Sequence, residues 1–388
     1  MSYPNILIVS EVPLGAPNGF GVTLQNLFGE WPRHKIRYFY NRREYRQLKL
    51  PNLDFRFAPV PASPGRRFAI PKLLGLAPEW RGNYSKAWLK RNLRGFYPDL
   101  VFTSVHSIHT IRFADWIARE ISASHALHIM DEPFHGCEKK EVNTLLGRVS
   151  SLMTISETMR QSYLEKYNID SEVFHNGAET TFFSLNPKNP RKGDPIRLRF
   201  VGNLIQIQHF NAIEDIAKAL SIYNKNSTRP AIFEIFGNES PMGCSNSIQR
   251  EGEILFHGPI PLEKRLETLA GADLLVIPFT FNPEHFESYR LSIPTKLPEN
   301  LATGIPLLLY GPEGMAATNL CIENDLATVI TKRSVNRLVD VLEQIESNPK
   351  SFQKKAEFAK SFAAQKLSSF EISKRFHQHL LELCHQTV

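Results

Sequence analysis

Cysteine is scarce in this sequence and never clustered. Cys137, Cys244, Cys321 and Cys384 lie far apart, so neither a disulfide framework nor a cysteine-based metal site is expected. Long hydrophobic runs are missing too. No stretch approaches the roughly 18–20 apolar residues that span a bilayer. Residues Met1 to Asn5 run straight into an apolar strand pattern, Ile6–Val9, without the basic and apolar regions of a secretory signal. A reduced, cytoplasmic protein is the expectation. Wholesale disorder is not expected: 42% of residues are hydrophobic and 22% charged, close to globular averages. At 388 residues the chain is long for one core and suits two domains.

Acidic residues are short in one segment. Residues 33–95 hold sixteen Lys or Arg against Glu44, Asp54 and Glu79, a net +13. The whole chain is +7, so the remainder carries −6. Phe68, Leu73, Trp80, Tyr84 and Trp88 are interleaved with the cations. An anionic membrane surface or a nucleic acid fits such a pattern; a solvated loop region with scattered charge is the plain alternative. Pro51, Pro59, Pro61, Pro64, Pro71 and Pro78 break the segment too often for a groove-reading helix. The membrane is therefore preferred, and no nucleic-acid partner is expected.

What the sequence does have is a repeated rhythm. Apolar runs at Ile6–Val9, Ile36–Tyr40, Phe55–Val60, Leu100–Val105, Ala126–Met130, Ser151–Ile155 and Glu172–His175 read as strands. Between them lie helical patterns at Thr23–Phe28, His109–Ile121 and Glu157–Tyr167. Such alternation predicts a doubly wound parallel α/β sheet. Residues 184–196 are polar and broken by Pro187, Pro190, Gly193 and Pro195, which marks a linker. The rhythm then restarts. Strands are predicted at Leu198–Val201, Ala231–Phe236, Ile254–Phe256, Leu274–Pro278 and Thr328–Ile330, with helices at Asn211–Tyr223, Leu262–Ala270 and Val335–Glu346. Phe362, Phe370 and Phe376, in the C-terminal helical region, read as core contacts.

The richest stretch is 288–312. A loop through Ser292, Pro294 and Thr295 leads into a short helix that carries Lys296 and Glu299 and ends at Gly304. A buried strand, Pro306–Tyr310, follows. Positions i and i+3 share a helix face, so a cation and a carboxylate would point the same way. Free N–H groups at a helix start favour phosphate, Lys adds a point charge, and Glu accepts from sugar hydroxyls. That set suits a nucleotide-diphosphate sugar. An ordinary helix start feeding a buried strand is the plain alternative.

Other glycines and polar groups stand at predicted strand ends. Gly15, Gly19 and Gly21 follow the first strand and open a helix, where backbone can approach a phosphate or a sugar. They are not a dinucleotide fingerprint, because Leu24 stands where its third glycine belongs. Gly202 and Asn203 follow the first strand of the second half. His106 and Asp131 follow two strands of the first half. Asp131 suits a substrate hydroxyl, and His106 an acceptor or phosphate; strand-end capping is the plain alternative for both. His128, inside a strand pattern, reads as a core histidine.

Ser292, Pro294, Lys296 and Glu299, followed by Ala302, Gly304 and Pro306, reproduce the order Ser-x-Pro-x-Lys-x-x-Glu, then Ala-x-Gly-x-Pro. This resembles the donor site of GT-B glycosyltransferases of the retaining family-4 type, especially those that build bacterial surface polysaccharides. The segment Asn176-Gly177-Ala178-Glu179 with Phe183 resembles the family's interdomain element, with Glu179 in place of the usual Asp. The resemblance implies two Rossmann-like doubly wound domains facing across a cleft. Residues 1–185 would bind the acceptor, with helices from about 365 to 388 packing back on them, and residues 186–364 would bind the donor.

In that scheme Gly19, Gly21, Gly202, Asn203, Arg290, Ser292, Thr295, Lys296 and Glu299 line the donor site. Asp131, His106 and Lys296 would take part in catalysis. The partners would be a nucleotide-diphosphate sugar, a glycan or lipid-linked acceptor and, through residues 33–95, the inner face of the cell membrane. No cofactor and no metal is implied. Two departures stand out. Gln206, Gln208 and His209 replace the basic residues usual after the glycine turn, and Leu291 occupies the place of an earlier Glu. Glu284 and Glu287 are near but out of register. A scaffold that binds a nucleotide sugar without turning it over, or a sugar-nucleotide epimerase, are the alternatives these departures motivate.

Overall fold

The computed structural model describes residues 3–16, 18–40, 45, 53–58, 86–104, 107–134, 136–187, 193–238 and 254–385. His106, Cys244 and the greater part of the basic segment 33–95 fall outside them. The chain divides into two units, Met1–His175 with Ser373–Val388, and Asn176–Ile372. The sequence reading put the boundary at 185/186 and the returning segment from about 365.

In the first unit the apolar runs become seven parallel strands: β1 (Ile6–Ser10), β2 (Ile36–Tyr40), β3 (Asp54–Phe57), β4 (Leu100–Ser104), β5 (Ser124–Ile129), β6 (Ser151–Thr154) and β7 (Glu172–Val173). Their order is β3-β2-β1-β4-β5-β6-β7. Both faces of a parallel sheet are covered, which is why the central strand β1 is apolar from Ile6 to Val9 rather than alternating. Ile6 to Val9 are all buried. The helices between them are started by side chains. Ser107 caps Ile108–Ile121 by accepting from the His109 N–H, and Ser156 caps Glu157–Tyr167 by accepting from that of Met159. The C-terminal helix Ser369–His385 supplies Phe376, fully buried with edge contacts to Phe28, Phe102 and Phe174. Phe370 departs from expectation: it is 61% exposed, since it sits where the helix begins.

The second unit holds six parallel strands: β8 (Ile196–Val201), β9 (Ala231–Phe236), β10 (Ile254–Gly258), β11 (Leu274–Pro278), β12 (Leu307–Tyr310) and β13 (Thr328–Ile330), ordered β10-β9-β8-β11-β12-β13. Period-two alternation divides its core. Leu275, Ile277 and Leu309 join one cluster, and Leu274, Val276 and Leu308 another. The residues after β7 are tied into this unit. Ala178 pairs with Ser368, and the Asn176 amide donates to the Ile293 carbonyl at 2.6 Å.

Helices Lys86–Asn92, Lys139–Leu146 and Ala316–Glu323 had no clear sequence signal. All three are short, and the first two have few apolar positions. Helix Gln206–Asn226 starts earlier than predicted because its first turn is polar, and polarity hid it.

Each sheet has one place where strand order reverses, between β1 and β4 and between β8 and β11. Ligands of open α/β sheets bind beyond the carboxyl ends of strands at such points. Gly202 and Asn203 follow β8 at such a point, and Gly19 and Gly21 open the helix after β1.

Candidate functional site

In the second unit, β8 ends at Val201 and the chain turns through Gly202 and Asn203 into helix Gln206–Asn226. The turn is tight against β9. A Cβ on Gly237 would sit 2.0 Å from the Gly202 carbonyl oxygen, so that glycine is required by close approach. The Gly202 N–H donates to the Phe236 carbonyl at 2.8 Å. Asn203 is exposed, its side-chain oxygen 3.5 Å from the Asn238 amide nitrogen. The other flank is helix Lys296–Ala302, pinned by the buried residues Leu297, Leu301 and Ala302. That packing fixes where Lys296 and Glu299 point.

Lys296 reaches across to the β8 turn. Its ammonium lies 4.3 Å from the centroid of the Phe200 ring, and a Cβ on Gly202 would be 3.0 Å from Nζ. Only a glycine leaves the ammonium this place. Among the described residues no carboxylate is within ion-pair distance of it. Burial, helped by the Arg265 charge and opposed by Glu299, pulls the Lys296 ammonium down to about 8. It is thus a buried cation that makes no direct ion pair among the described residues, and an arriving anion would stabilise it.

Glu299 is paired, which the sequence did not suggest. It is 5% exposed, and Arg265 from helix Arg265–Ala270 grips both of its oxygens, Nη1 to Oε1 at 3.1 Å and Nη2 to Oε2. Burial raises the Glu299 carboxyl above its usual range, against the charge and hydrogen bonds of Arg265. Arg265 is the residue that sequence reasoning missed. It belongs to no motif and lies far from Glu299 in the chain, so only the packing of two helices reveals it.

The remaining donor candidates are less free. The Arg290 guanidinium is bonded at 2.7 Å to Glu287, one of the two nearby acids noted as out of register. Ser292 lies on the loop and its N–H donates to the Tyr289 carbonyl at 3.2 Å. Thr295 precedes the helix without a side-chain cap. Leu291 is buried. His209 is no substitute cation. Burial, with the Lys296 charge adding, drives its pKa well below the usual value. Its Nδ1 lies 3.0 Å from the Ile205 nitrogen, at the start of its own helix.

In the first unit the glycine loop folds on itself. Asn18 caps helix Gly19–Phe28 by accepting from the Gly21 N–H at 2.9 Å, and the Gly15 N–H donates to the Gly21 carbonyl at 3.0 Å. A Cβ on Gly21 would meet the Ala16 backbone at 2.5 Å. Gly21 therefore serves the turn, while Gly19 is exposed at the helix start. Asp131 is partly exposed just beyond β5. Its neighbour Glu132 is structural, accepting from the Phe134 N–H at 2.9 Å and the Tyr163 hydroxyl at 3.2 Å. Glu11, not singled out from sequence, is buried beyond β1 and accepts from the Thr110 hydroxyl at 3.0 Å. A carboxylate directly after an apolar strand was the available signal. His128 is a core residue, fully buried.

Among the described residues no group of three or more His, Cys, Asp or Glu side chains is placed to hold a metal ion. No described helix is long and apolar enough to cross a membrane.

No family model matches the sequence, and no curated protein matches it. Solved structures do match the fold. HepE of Anabaena, in complex with UDP and glucose, superposes with a TM-score of 0.69 at 11% identity over 98% of this chain and 100% of that one. Sucrose-phosphate synthase of Thermosynechococcus elongatus gives 0.67 at 12% identity, over 97% and 98% of the two chains. The lipopolysaccharide outer core galactosyltransferase WaaB gives 0.64 at 15% identity, over 97% and 99%. With two doubly wound parallel-sheet units that match GT-B glycosyltransferase structures over nearly its whole length, this chain has the GT-B fold.

Proposed function

We propose that this chain is a glycosyltransferase that moves a sugar from a nucleotide-diphosphate sugar to a hydroxyl of a glycan or lipid-linked acceptor. The observation that carries this is the Lys296 ammonium, set against Gly202 at the carboxyl end of β8 without a carboxylate partner among the described residues. A diphosphate brings the missing negative charge, and a fixed cation there offsets the charge that builds on the leaving phosphate. Glu299, one helical turn on, accepts from the ribose hydroxyls. That HepE was solved with UDP-glucose supports this donor class.

In the reaction the bond from the sugar's anomeric carbon to the diphosphate oxygen breaks, and one to the acceptor oxygen forms. The acceptor proton passes to the leaving phosphate on the same face, so the configuration is retained and no protein nucleophile is needed. Asp131 and His106, in the first unit, serve the acceptor. The setting is cell-surface polysaccharide synthesis at the inner face of the membrane, with residues 33–95 as the docking segment. Arg37 and Arg56 share Asp54, and Lys86 pairs with Glu120, so these three cations are engaged within the first unit. Flotation with anionic and neutral liposomes tests it; equal, negligible binding to both would end it.

The test of the activity is a thermal-shift screen of UDP-, GDP-, ADP- and CMP-sugars. One is expected to stabilise the protein, less so after Lys296→Ala or Glu299→Ala, and to be turned over with an acceptor. Silence from all four removes the reading. One observation favours a second reading, a binding scaffold: Leu291 is buried where the family has a Glu, so a partner for the donor is missing. A donor that binds but is neither hydrolysed nor transferred would favour the scaffold.

A further inference from the structure

Arg265 makes contacts beyond those of a surface helix residue. Its guanidinium meets Glu299 fork to fork, and its central carbon lies 5.4 Å from the centroid of the buried Phe182 ring. The Phe182 ring and the Glu299 carboxylate both bear on the guanidinium. The carboxylate it grips is 5% exposed. Four charged groups meet here: Arg265, Glu299, Lys296 on the same helix as Glu299, and Glu179 on the segment before Thr180–Phe183.

A carboxylate has about four lone-pair sites, two on each oxygen, and a bidentate guanidinium takes one on each. The remaining two then point in directions set by the guanidinium, not by the free rotation of a Glu side chain. They diverge on opposite edges of the carboxylate, so a ribose hydroxyl can meet one of them. We propose that Arg265 is the positioning residue of the donor site, holding Glu299 so that one of its remaining lone pairs meets the ribose 2′-hydroxyl of the nucleotide. This rests on the donor-site reading above. Arg265 acts through Glu299 and does not itself touch the donor. Lys at this position would keep the charge but not the fork.

A double-mutant cycle tests it. Binding of UDP, GDP and ADP to the full chain is measured by calorimetry, and the nucleotide that binds wild type is carried forward with its 2′-deoxy form. Arg265→Met is expected to weaken binding about tenfold, and Arg265→Met with Glu299→Gln to be no weaker than Glu299→Gln alone. Wild type should prefer the ribonucleotide, and Arg265→Met should lose that preference. Arg265→Lys, which keeps the charge in a near-native site, should lose it too; it carries the test if Arg265→Met does not fold. Additive losses would overturn the proposal, because Arg265 would then bind the donor directly. So would a variant that discriminates ribose from deoxyribose as wild type does. If Lys296→Ala and Glu299→Gln both bind like wild type, the donor-site reading is what fails. A wild type that binds none of the three nucleotides removes both.

Discussion

The Lys296 ammonium faces the Phe200 ring at 4.3 Å from its centroid, with Gly202 beside it. A cation over an aromatic face is held by the ring's quadrupole without being neutralised. Its charge stays available to an anion.

Donor binding should therefore depend on pH through Lys296. Its pKa is about 8 in the free protein, lowered by burial and by Arg265, with Glu299 opposing. His209, which also faces it, is held neutral and does not titrate in this range. A bound diphosphate raises the Lys296 pKa, so the complex holds a proton that the free protein loses. Affinity should be level below the lower pKa and fall, with one-proton slope, as pH rises above about 8. Calorimetry of the best-binding nucleotide sugar between about pH 7 and 9 checks this. Lys296→Arg should bind with a flat profile.

Gly202→Ala should separate binding from stability. The new Cβ would lie 3.0 Å from Lys296 Nζ and 3.1 Å from Cε, and that flexible end can move. Thermal stability should change by less than about 1 kcal/mol, while nucleotide affinity drops about tenfold. Gly237→Ala is the contrast. Its Cβ meets a carbonyl oxygen at 2.0 Å, the backbone must shift, and the melting temperature should fall. Unchanged affinity in Gly202→Ala would count against Lys296 as the phosphate partner.

Acid should destabilise the first unit. His125 and His128 are fully buried, and burial pulls both to about 4. His128 faces the Phe174 carbonyl through Nε2 at 3.3 Å and His125 faces the Thr103 hydroxyl through Nε2 at 2.9 Å, while each Nδ1 is buried without a hydrogen-bond partner. Protonation would put an N–H where nothing accepts it. His175 adds repulsion at His128. A depressed basic pKa means that the unfolded chain binds the proton first, so stability falls as pH drops from about 6.5 towards 4, by up to about 3 kcal/mol for each His. Urea midpoints across that range measure it, and His128→Gln should flatten the slope.

Phe376→Ala should cost about 3–5 kcal/mol, because a fully buried ring is lost from between Phe28, Phe102 and Phe174. Phe370→Ala, at an exposed ring, should cost well under 1 kcal/mol. Chemical denaturation of the two variants decides whether the C-terminal helix stabilises the first unit as its packing indicates.

Much of the fold was legible. Strands buried on both faces are continuous apolar runs, so β1 and β11 fell where the sequence put them to within about a residue. Helices with few apolar positions, such as Lys139–Leu146, escaped because periodicity is the signal and they carry little of it. At the site, Lys296 and Glu299 could be read from spacing alone. The state of their charges could not. Leu291 looked like a lost acid and turned out to be a buried apolar residue, and Arg290 looked like a spare cation and is paired with Glu287.

By itself the sequence determined the local order: which stretches are strands, where several helices run, and that a lysine and a glutamate stand one turn apart. These follow from neighbours within a few residues, where spacing and side-chain chemistry suffice. Tertiary structure alone decided that Lys296 meets Phe200 and Gly202, and that Glu299 meets Arg265. Those partners come from separate strands and helices. Burial, which lowers the pKa of one and raises that of the other, exists only once they are packed together.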